Sequence, residues 1–475
     1  MITKTAWKNV WRNKVRSLVV IASVAVGIFA GAFSVAMMEG AMAQRVDNAL
    51  NDEISHIQIA SRDFRANNDL SCFMENTDEM MQKIKTLGEV RSVADRIIVV
   101  GMASSAAKSS GVQINGINPD EEKLVLGIDR KLIPGTGSYL EKSGKSNMAY
   151  IGEDLAKELN IIRYSVTEKV IDSLMEKGIP QKVIDKMESF LDVRFKNENS
   201  FNRELRKVIT KEEETKYGYI IKEGARTYRE NSRMILNFID KDNYQTGAVF
   251  RIAGIYDIPN NMFESSQVFV LKDDLQRLTG LSDGEAHIMA IRLKDVSSTQ
   301  VVTDKLKEMF PEMEVLNWRQ IQPDLAMMEE LAGIMYGMFM GIILAALAFG
   351  IVNTMLMVVL ERTKELGMLA AIGMNRKKIF RMIMSESVFL SLVGGVAGMI
   401  FSKIVITLTA KHGINFTGYK EGLEAMGYSA HIYPHIGNDF FIIVTFLIII
   451  TGILSAIYPA LKALKLDPAD ALRTE

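Results

Sequence analysis

The sequence predicts an α-helical membrane protein with four transmembrane helices in a 1+3 arrangement. A large α+β domain is inserted between helices 1 and 2. Three observations carry this reading: four long apolar blocks, cations clustered beside some of them, and a middle region that alternates strand-like with helix-like stretches. The 475 residues are 48% hydrophobic and 24% charged, which excludes collagen-like, coiled-coil and wholly disordered chains. Lys and Arg number 56 against 57 Asp and Glu, so there is no overall basic field and no nucleic-acid partner is expected. The single cysteine, Cys72, excludes an intramolecular disulfide and any cysteine-based zinc cluster.

The apolar blocks are Ser17–Met38, Leu331–Leu360, Ser387–Ala410 and Phe440–Leu461, of 22, 30, 24 and 22 residues. Only the third carries a charge, Lys403. A span needs about 20 apolar residues, so each qualifies. Buried helices of a large soluble protein are the alternative, but flanking cations at block after block argue against it. The first block exceeds the apolar core of a cleaved secretory signal and its helical pattern continues past Met38, so it reads as a retained anchor. Lys403 lies near the outer end of its block, where snorkelling accounts for it.

Cations in short loops set orientation. Lys4, Lys8, Arg12, Lys14 and Arg16 precede the first block; Arg362, Lys364, Arg376, Lys377, Lys378 and Arg381 follow the second; Lys462, Lys465 and Arg473 follow the fourth. These segments are expected in the cytoplasm, with both termini, and the middle region outside it. Helical spacing runs on through Ala41, Val46 and Leu50, and Pro323 fits a helix start, so helices 1 and 2 should extend beyond the membrane as stalks. Gly333, Gly337 and Gly341 share one face of helix 2, as Gly27 with Gly31 and Gly394 with Gly398 do on helices 1 and 3. Small residues permit close helix approach, within the chain or between copies, and the triple is the best dimer candidate.

Between the first two blocks, strands are expected at His56–Ser61, Arg96–Ala103, Gly111–Ile117, Arg233–Ile239, Val249–Tyr256, Gln267–Leu271 and His287–Leu293. Helices are expected at Asp78–Leu87, Glu153–Leu159, Lys272–Leu278 and Thr299–Met309. Residues 161–231 hold 28 charged side chains in 71 and three amphipathic stretches, which reads as a helical insertion. No catalytic set is visible. Gly144-Lys145-Ser146 lacks the earlier glycine of a phosphate loop, having Tyr139 there. His431 and His435 flank Pro434 without an evident third ligand, and no metal site is expected.

The loop after helix 2 runs Glu361-Arg-Thr-Lys-Glu-Leu-Gly-Met-Leu-Ala-Ala-Ile-Gly373. Leu366, Leu369 and Ala370 form an apolar face, Glu361 and Glu365 a polar one, and Gly373 a stop. A short amphipathic helix here suits docking to a cytoplasmic partner or resting on lipid.

These residues carry a resemblance. Ala6-Trp-Lys-Asn-Val-Trp-Arg-Asn-Lys-Val-Arg-Ser17, the loop Glu361–Gly373 with the later Glu386, and Tyr458-Pro-Ala-Leu-Lys…Asp-Pro-Ala-Asp-Ala-Leu-Arg473 resemble the MacB/FtsX-like permeases of ABC transporters. Gly137-Ser-Tyr-Leu…Tyr150-Ile-Gly-Glu-Asp-Leu-Ala-Lys-Glu-Leu159 is similar to part of their periplasmic domain. The resemblance implies a permease dimer, identical or paralogous, with two copies of a separate cytoplasmic ATPase that binds ATP and Mg, and no cofactor on this chain. Glu361, Arg362, Glu365, Leu366, Gly367, Leu369, Ala370 and Gly373 would couple to that ATPase. The resemblance also implies a bacterial inner-membrane protein that transmits motion rather than lining a channel. The expected domains are a cytoplasmic amphipathic helix 1–16, helix 1 with stalk 17–50, a periplasmic domain 51–322 with insertion 161–231, stalk with helix 2 at 323–360, a coupling loop 361–384, helix 3 at 385–410, a periplasmic loop 411–439, helix 4 at 440–461 and a tail 462–475. In layout the chain resembles lipoprotein-releasing (LolC/LolE-like) permeases, with a periplasmic carrier. The alternatives are an efflux permease working with an adaptor, and an FtsX-like regulator of cell-wall hydrolases.

Overall fold

The computed structural model describes residues 2–141, 146–176, 178–195, 197–228 and 232–465. Most of Gly144-Lys145-Ser146, and the end of the C-terminal motif with Arg473, lie outside them. The chain divides into a helical unit, Met1–Arg45 with Asp324–Lys420 and Tyr428–Glu475, and an α/β unit, Val46–Pro323 with Glu421–Gly427.

The helical unit opens with α1, Ile2–Val10, and α2, Lys14–Asn48. It continues after the α/β region with α3, Pro323–Glu361, α4, Thr363–Ala371, α5, Arg376–His412, and α6, Asn438–Leu464. Four of these are long and apolar enough to cross a membrane. Pro323 starts α3, which has 39 residues and so is about 58 Å long. Ile28, Met340, Leu344, Leu390 and Ile448 build the shared core, while Leu18, Ile342, Phe349, Ile400 and Phe446 point outward. Outward apolar side chains on all four helices suit a lipid surrounding.

The glycines separate into two groups. A Cβ on Gly27 would lie 2.6 Å from Leu347, on Gly394 2.7 Å from Val24, and on Gly398 2.6 Å from the Ala25 carbonyl. Gly31 similarly faces Ile343 and Met340. These pairs serve packing within the chain. A Cβ on Gly333, Gly337 or Gly341 would meet no atom of a described residue within 4 Å, so among the described residues that face of α3 is open. His435 donates its backbone N–H to the Ala36 carbonyl, and Gln44 bonds to both His431 and Tyr433, so the histidine segment is strapped to α2 by its backbone. Lys403 lies over the Phe441 ring.

In the α/β unit nine strands form one mixed sheet: β1 Ile57–Ser61, β2 Val90–Ser104, β3 Ser109–Ile117, β4 Met148–Gly152, β5 Arg233–Ile239, β6 Gln245–Tyr256, β7 Gln267–Leu271, β8 Ile288–Leu293 and β9 Met313–Asn317. Their order is β9-β1-β8-β2-β3-β7-β4-β6-β5. The far end of β2, Gly101–Ser104, also pairs with β5, which closes six strands from β2 round to β5 into a ring. Alternation fills that ring: Ile97, Val99, Ile114, Ile151, Leu236, Phe250 and Val268 are buried inside, while Val100, Met102 and Ile235 stay outside. All seven expected strands form, with longer β2 and β6, and β4 and β9 join them.

The insertion departs from the helical expectation. Its helices Glu168–Glu176, Gln181–Met187, Glu198–Val208 and Lys211–Ala225 pack on a three-stranded sheet of Ile162–Ser165, Arg194–Phe195 and Arg226–Tyr228. Reciprocal capping by Asn197 with Ser200, and by Thr210 with Glu213, starts the last two helices. Phe201, Leu205, Val166, Met187 and Ile221 give the insertion its own core.

Glu153 fastens the insertion's last strand to the helix after β4. Its carboxylate accepts hydrogen bonds from Arg226, at 3.1 Å, and from Tyr228, and pairs with Lys157 at 3.1 Å. Burial pushes this carboxyl up, but Lys157, Tyr228 and Arg226 outweigh burial and hold it at about 2. Its stabilising contribution is therefore present above the ordinary value of 4.5 and is lost as pH falls towards 2. Glu153→Gln should lower the stability of the α/β unit by about 1–3 kcal/mol at pH 7. It should also flatten the acid limb, as measured by denaturant unfolding across that pH range.

Candidate functional site

The site is built where α1, the α3–α4 turn and the start of α5 converge inside the helical unit. Helix α1 buries Ala6 and Val10 and sets the Trp7 ring 5.6 Å from Phe389, edge to face. The Ser17 hydroxyl donates to the Val10 carbonyl and fixes the bend into α2. That bend presents Arg12 and Arg16, four residues apart, towards Glu365 and Glu361, which also stand four apart.

A chain of ion pairs results. The Arg12 guanidinium grips both Glu365 oxygens, one at 3.0 Å. Glu365 Oε2 also accepts from Arg362 Nε at 3.0 Å. Arg362 Nη1 then reaches both oxygens of Glu386, at 3.2 and 3.1 Å. Arg16 pairs with Glu361 beside them. The hydrogen bond from Arg12 comes first among the causes that hold the Glu365 carboxyl below its ordinary range; burial opposes it and Arg362 assists. Three guanidiniums and three carboxylates balance, so the cluster carries little net charge. It borders a cleft of about 390 Å³ lined by Arg12, Arg16, Thr354, Val358, Glu361 and Glu386.

The expected site residues take distinct places. Glu361 closes α3 rather than opening the next helix, so the loop helix is Thr363–Ala371, shorter than the sequence suggests. Glu361, Arg362 and Glu365 are joined to other parts of the chain. Leu366 and Gly367 are buried and Leu369 packs on the helical core, which corrects the expectation that Leu366 and Leu369 face a partner. Ala370 lies in the last turn of α4, and Gly373 takes φ +93°, the left-handed stop that favours glycine. Asn375 caps α5 by accepting from the Lys377 N–H at 2.9 Å. The exposed face of α4 carries Lys364 and Met368, and Ile372 just beyond it continues that line, 79% exposed. Arg376, Lys377, Lys378 and Arg381 are exposed next to it.

The segment that contains this site has a family match. Residues 337–468 match the FtsX-like permease C-terminal family. The pyoverdine export ATP-binding/permease protein PvdT of Pseudomonas entomophila is 33% identical over 204 residues, 42% of this chain and 28% of that protein. The macrolide export ATP-binding/permease protein MacB of Neisseria meningitidis is 30% identical over 254 residues, 50% of this chain and 36% of that protein. An uncharacterized ABC transporter permease of Methanocaldococcus jannaschii, MJ1507, is 26% identical over 236 residues, 48% of this chain and 55% of that protein. The chain is therefore similar to FtsX-like permeases over residues 337–468 and to the permease parts of MacB- and PvdT-type proteins. It spans between about a quarter and just over half of the length of these relatives. The FtsX-like match covers most of α3 and all of α4, α5 and α6.

Away from this site, Glu153, Asp257 and Glu264 bring carboxylate oxygens within 4.8 Å of one another. Glu153 is already bound to Arg226, Tyr228 and Lys157. Burial, then Asp257, pushes the Glu264 carboxyl up to about 9, so it is protonated at neutral pH. The trio is therefore poorly suited to a cation.

Within the helical unit the buried Glu386 depends on Arg362; their side chains are 5% and 17% exposed. Arg362→Ala should cost about 3 kcal/mol, seen as a lower unfolding temperature in detergent, because it strands a buried carboxylate. Adding Glu386→Gln should restore part of the loss.

Proposed function

We propose that the chain is the membrane subunit of an ABC transporter and couples ATP hydrolysis by a partner ATPase to conformational change in its α/β domain. The observation that carries this reading is the exposed line of Lys364 and Met368 on α4 and Ile372 just beyond it, set beside the exposed cations Arg376, Lys377, Lys378 and Arg381 and held from behind by the ion-pair chain. A ridge of this kind, apolar at Met368 and Ile372 and cationic around them, on a helix its own chain braces, suits a groove on a partner. ATP and Mg belong to that ATPase, two copies of which serve two permease chains. The open Gly333–Gly337–Gly341 face of α3 supports a dimer of like or paralogous chains. With the cations of the N-terminal segment and of the α3–α5 loop in the cytoplasm, the α/β domain lies outside a bacterial inner membrane.

The relatives' printed roles, macrolide and pyoverdine export, favour export of a small molecule or peptide; a periplasmic adaptor would complete that reading. Lipoprotein release to a carrier is the second reading. It rests on layout: a permease unit with the large α/β domain between its first two apolar helices.

The test is purification of the tagged chain from its native membrane in mild detergent, with mass spectrometry of the intact complex. Two permease chains with two ABC ATPases, and an adaptor or a lipoprotein carrier, are expected. Met368→Asp should reduce the recovered ATPase at least tenfold without lowering membrane insertion. No ATPase with the native chain, or undiminished ATPase with Met368→Asp, would overturn the coupling assignment.

A further inference from the structure

A second cluster of charge lies wholly inside the α/β unit and takes no part in the coupling site. A cavity of about 270 Å³ is lined by five cationic side chains, Arg91, Lys123, Arg130, Lys131 and Arg292, and by only two carboxylates, Asp47 and Asp52. The cations come from four places: the start of β2, the helix Pro119–Val125, the turn Ile128–Lys131, and β8. Such a local excess is not inherited from the chain, whose net charge is -1.

Local pairing accounts for two of the five. Lys131 binds Asp52 at 3.0 Å, and Lys123 binds Asp120 on its own helix at 2.8 Å. The three arginines differ. Arg292 donates to the Val125 carbonyl at 2.9 Å and to Asn51 Oδ1, both uncharged, so its position is fixed while its charge is met only by the field of Asp47 and Asp52. The side chains of Arg91 and Arg130 are exposed and make no hydrogen bond or ion pair with any described residue. Burial comes first, and Arg91 next, among the causes that hold the Arg292 guanidinium below its ordinary value, with Arg130 adding to them. Like charges crowded round one hollow repel unless an anion joins them.

We infer that this cavity binds a phosphate-class oxyanion, with Arg292 as a fixed donor and Arg91 and Arg130 as two free forks that close on it. Guanidinium forks match the geometry of phosphate oxygens, and three arginines on separate elements can approach one phosphate from different sides. The cavity exceeds a phosphate group, so an ester substituent can be accommodated. Two sources share that chemistry. One is a phospholipid headgroup, since Asp47 and Asn48 end the same continuous helix whose apolar block closes at Met38. The other is a soluble phosphate ester.

The test uses the full chain. Detergent-solubilised protein is titrated with glycerol 3-phosphate by calorimetry. In parallel, protein in nanodiscs of mixed phosphatidylglycerol and phosphatidylcholine is assayed for retained phosphatidylglycerol by native mass spectrometry. At least one probe should bind, and Arg91→Ala with Arg130→Ala should weaken it tenfold or more. Neither side chain is bonded, so folding should be unchanged, as circular dichroism can show. Lys123→Ala, whose cation is held by Asp120, should reduce binding less than threefold. Retention of the lipid alone would identify a headgroup site, and calorimetric binding alone a soluble ester. Binding of neither probe, or equal binding by the double variant, would overturn the assignment.

Discussion

Glu386 is a carboxylate almost fully buried in α5, and the helical unit is arranged so that it meets a cation. A buried carboxylate without a counter-charge is costly. Arg362 supplies the charge from the turn between α3 and α4, and Glu365 and Arg12 extend the pairing to the α1–α2 bend. The constraint therefore fixes where α3 must end, how α4 lies, and which face of the N-terminal segment turns inward. The outward position of Met368 follows from the same register. With Leu366 held inward, Met368, two positions on and about 200° round the helix, faces away.

On the proposed reading, this arrangement gives α4 two faces with different duties. One is joined to α1, α2 and α5 by charge and by the Leu366 packing; the other is free for a partner. Displacement of α4 would be felt at once by those helices, because close-packed interiors pass strain on rather than absorb it. The glycines contribute to that stiffness. Gly27, Gly31, Gly394 and Gly398 let α2 approach α3 and α5 with no room for a methyl group at three of the four positions. Among the described residues the Gly333–Gly341 line has no such neighbour, which leaves that side of α3 open.

Much of this was legible in the sequence where the signal is long or periodic. Four apolar blocks of 22 or more residues admit few other readings, and the alternation of β5, β7 and β8 locates them to within a residue. The insertion's strands were not legible, because segments of two to four residues such as Arg194–Phe195 carry no period. The partners of Glu361 and Glu365 were missed for another reason: they lie 345 and 353 residues away. A signal existed in the matching four-residue spacings of Arg12 with Arg16 and Glu361 with Glu365, but spacing alone does not say that two helices meet. Leu366 was misplaced because an apolar residue on a short helix can face its own core or a partner equally well by pattern. The arginines of the anion pocket come from separate strands and turns, so only the fold collects them.

The central claim is that the outward face of α4 receives the ATPase while its inward face stays locked to the rest of the helical unit. Hydrogen exchange of the chain, alone and in complex with the proposed ATPase and ATP, reads both faces in one measurement. The account predicts slowed exchange in the peptide spanning Met368–Ile372 on complex formation, with the Arg12–Arg16 segment unchanged in its slow exchange. Unaltered exchange at Met368–Ile372 in a complex proven intact would contradict it.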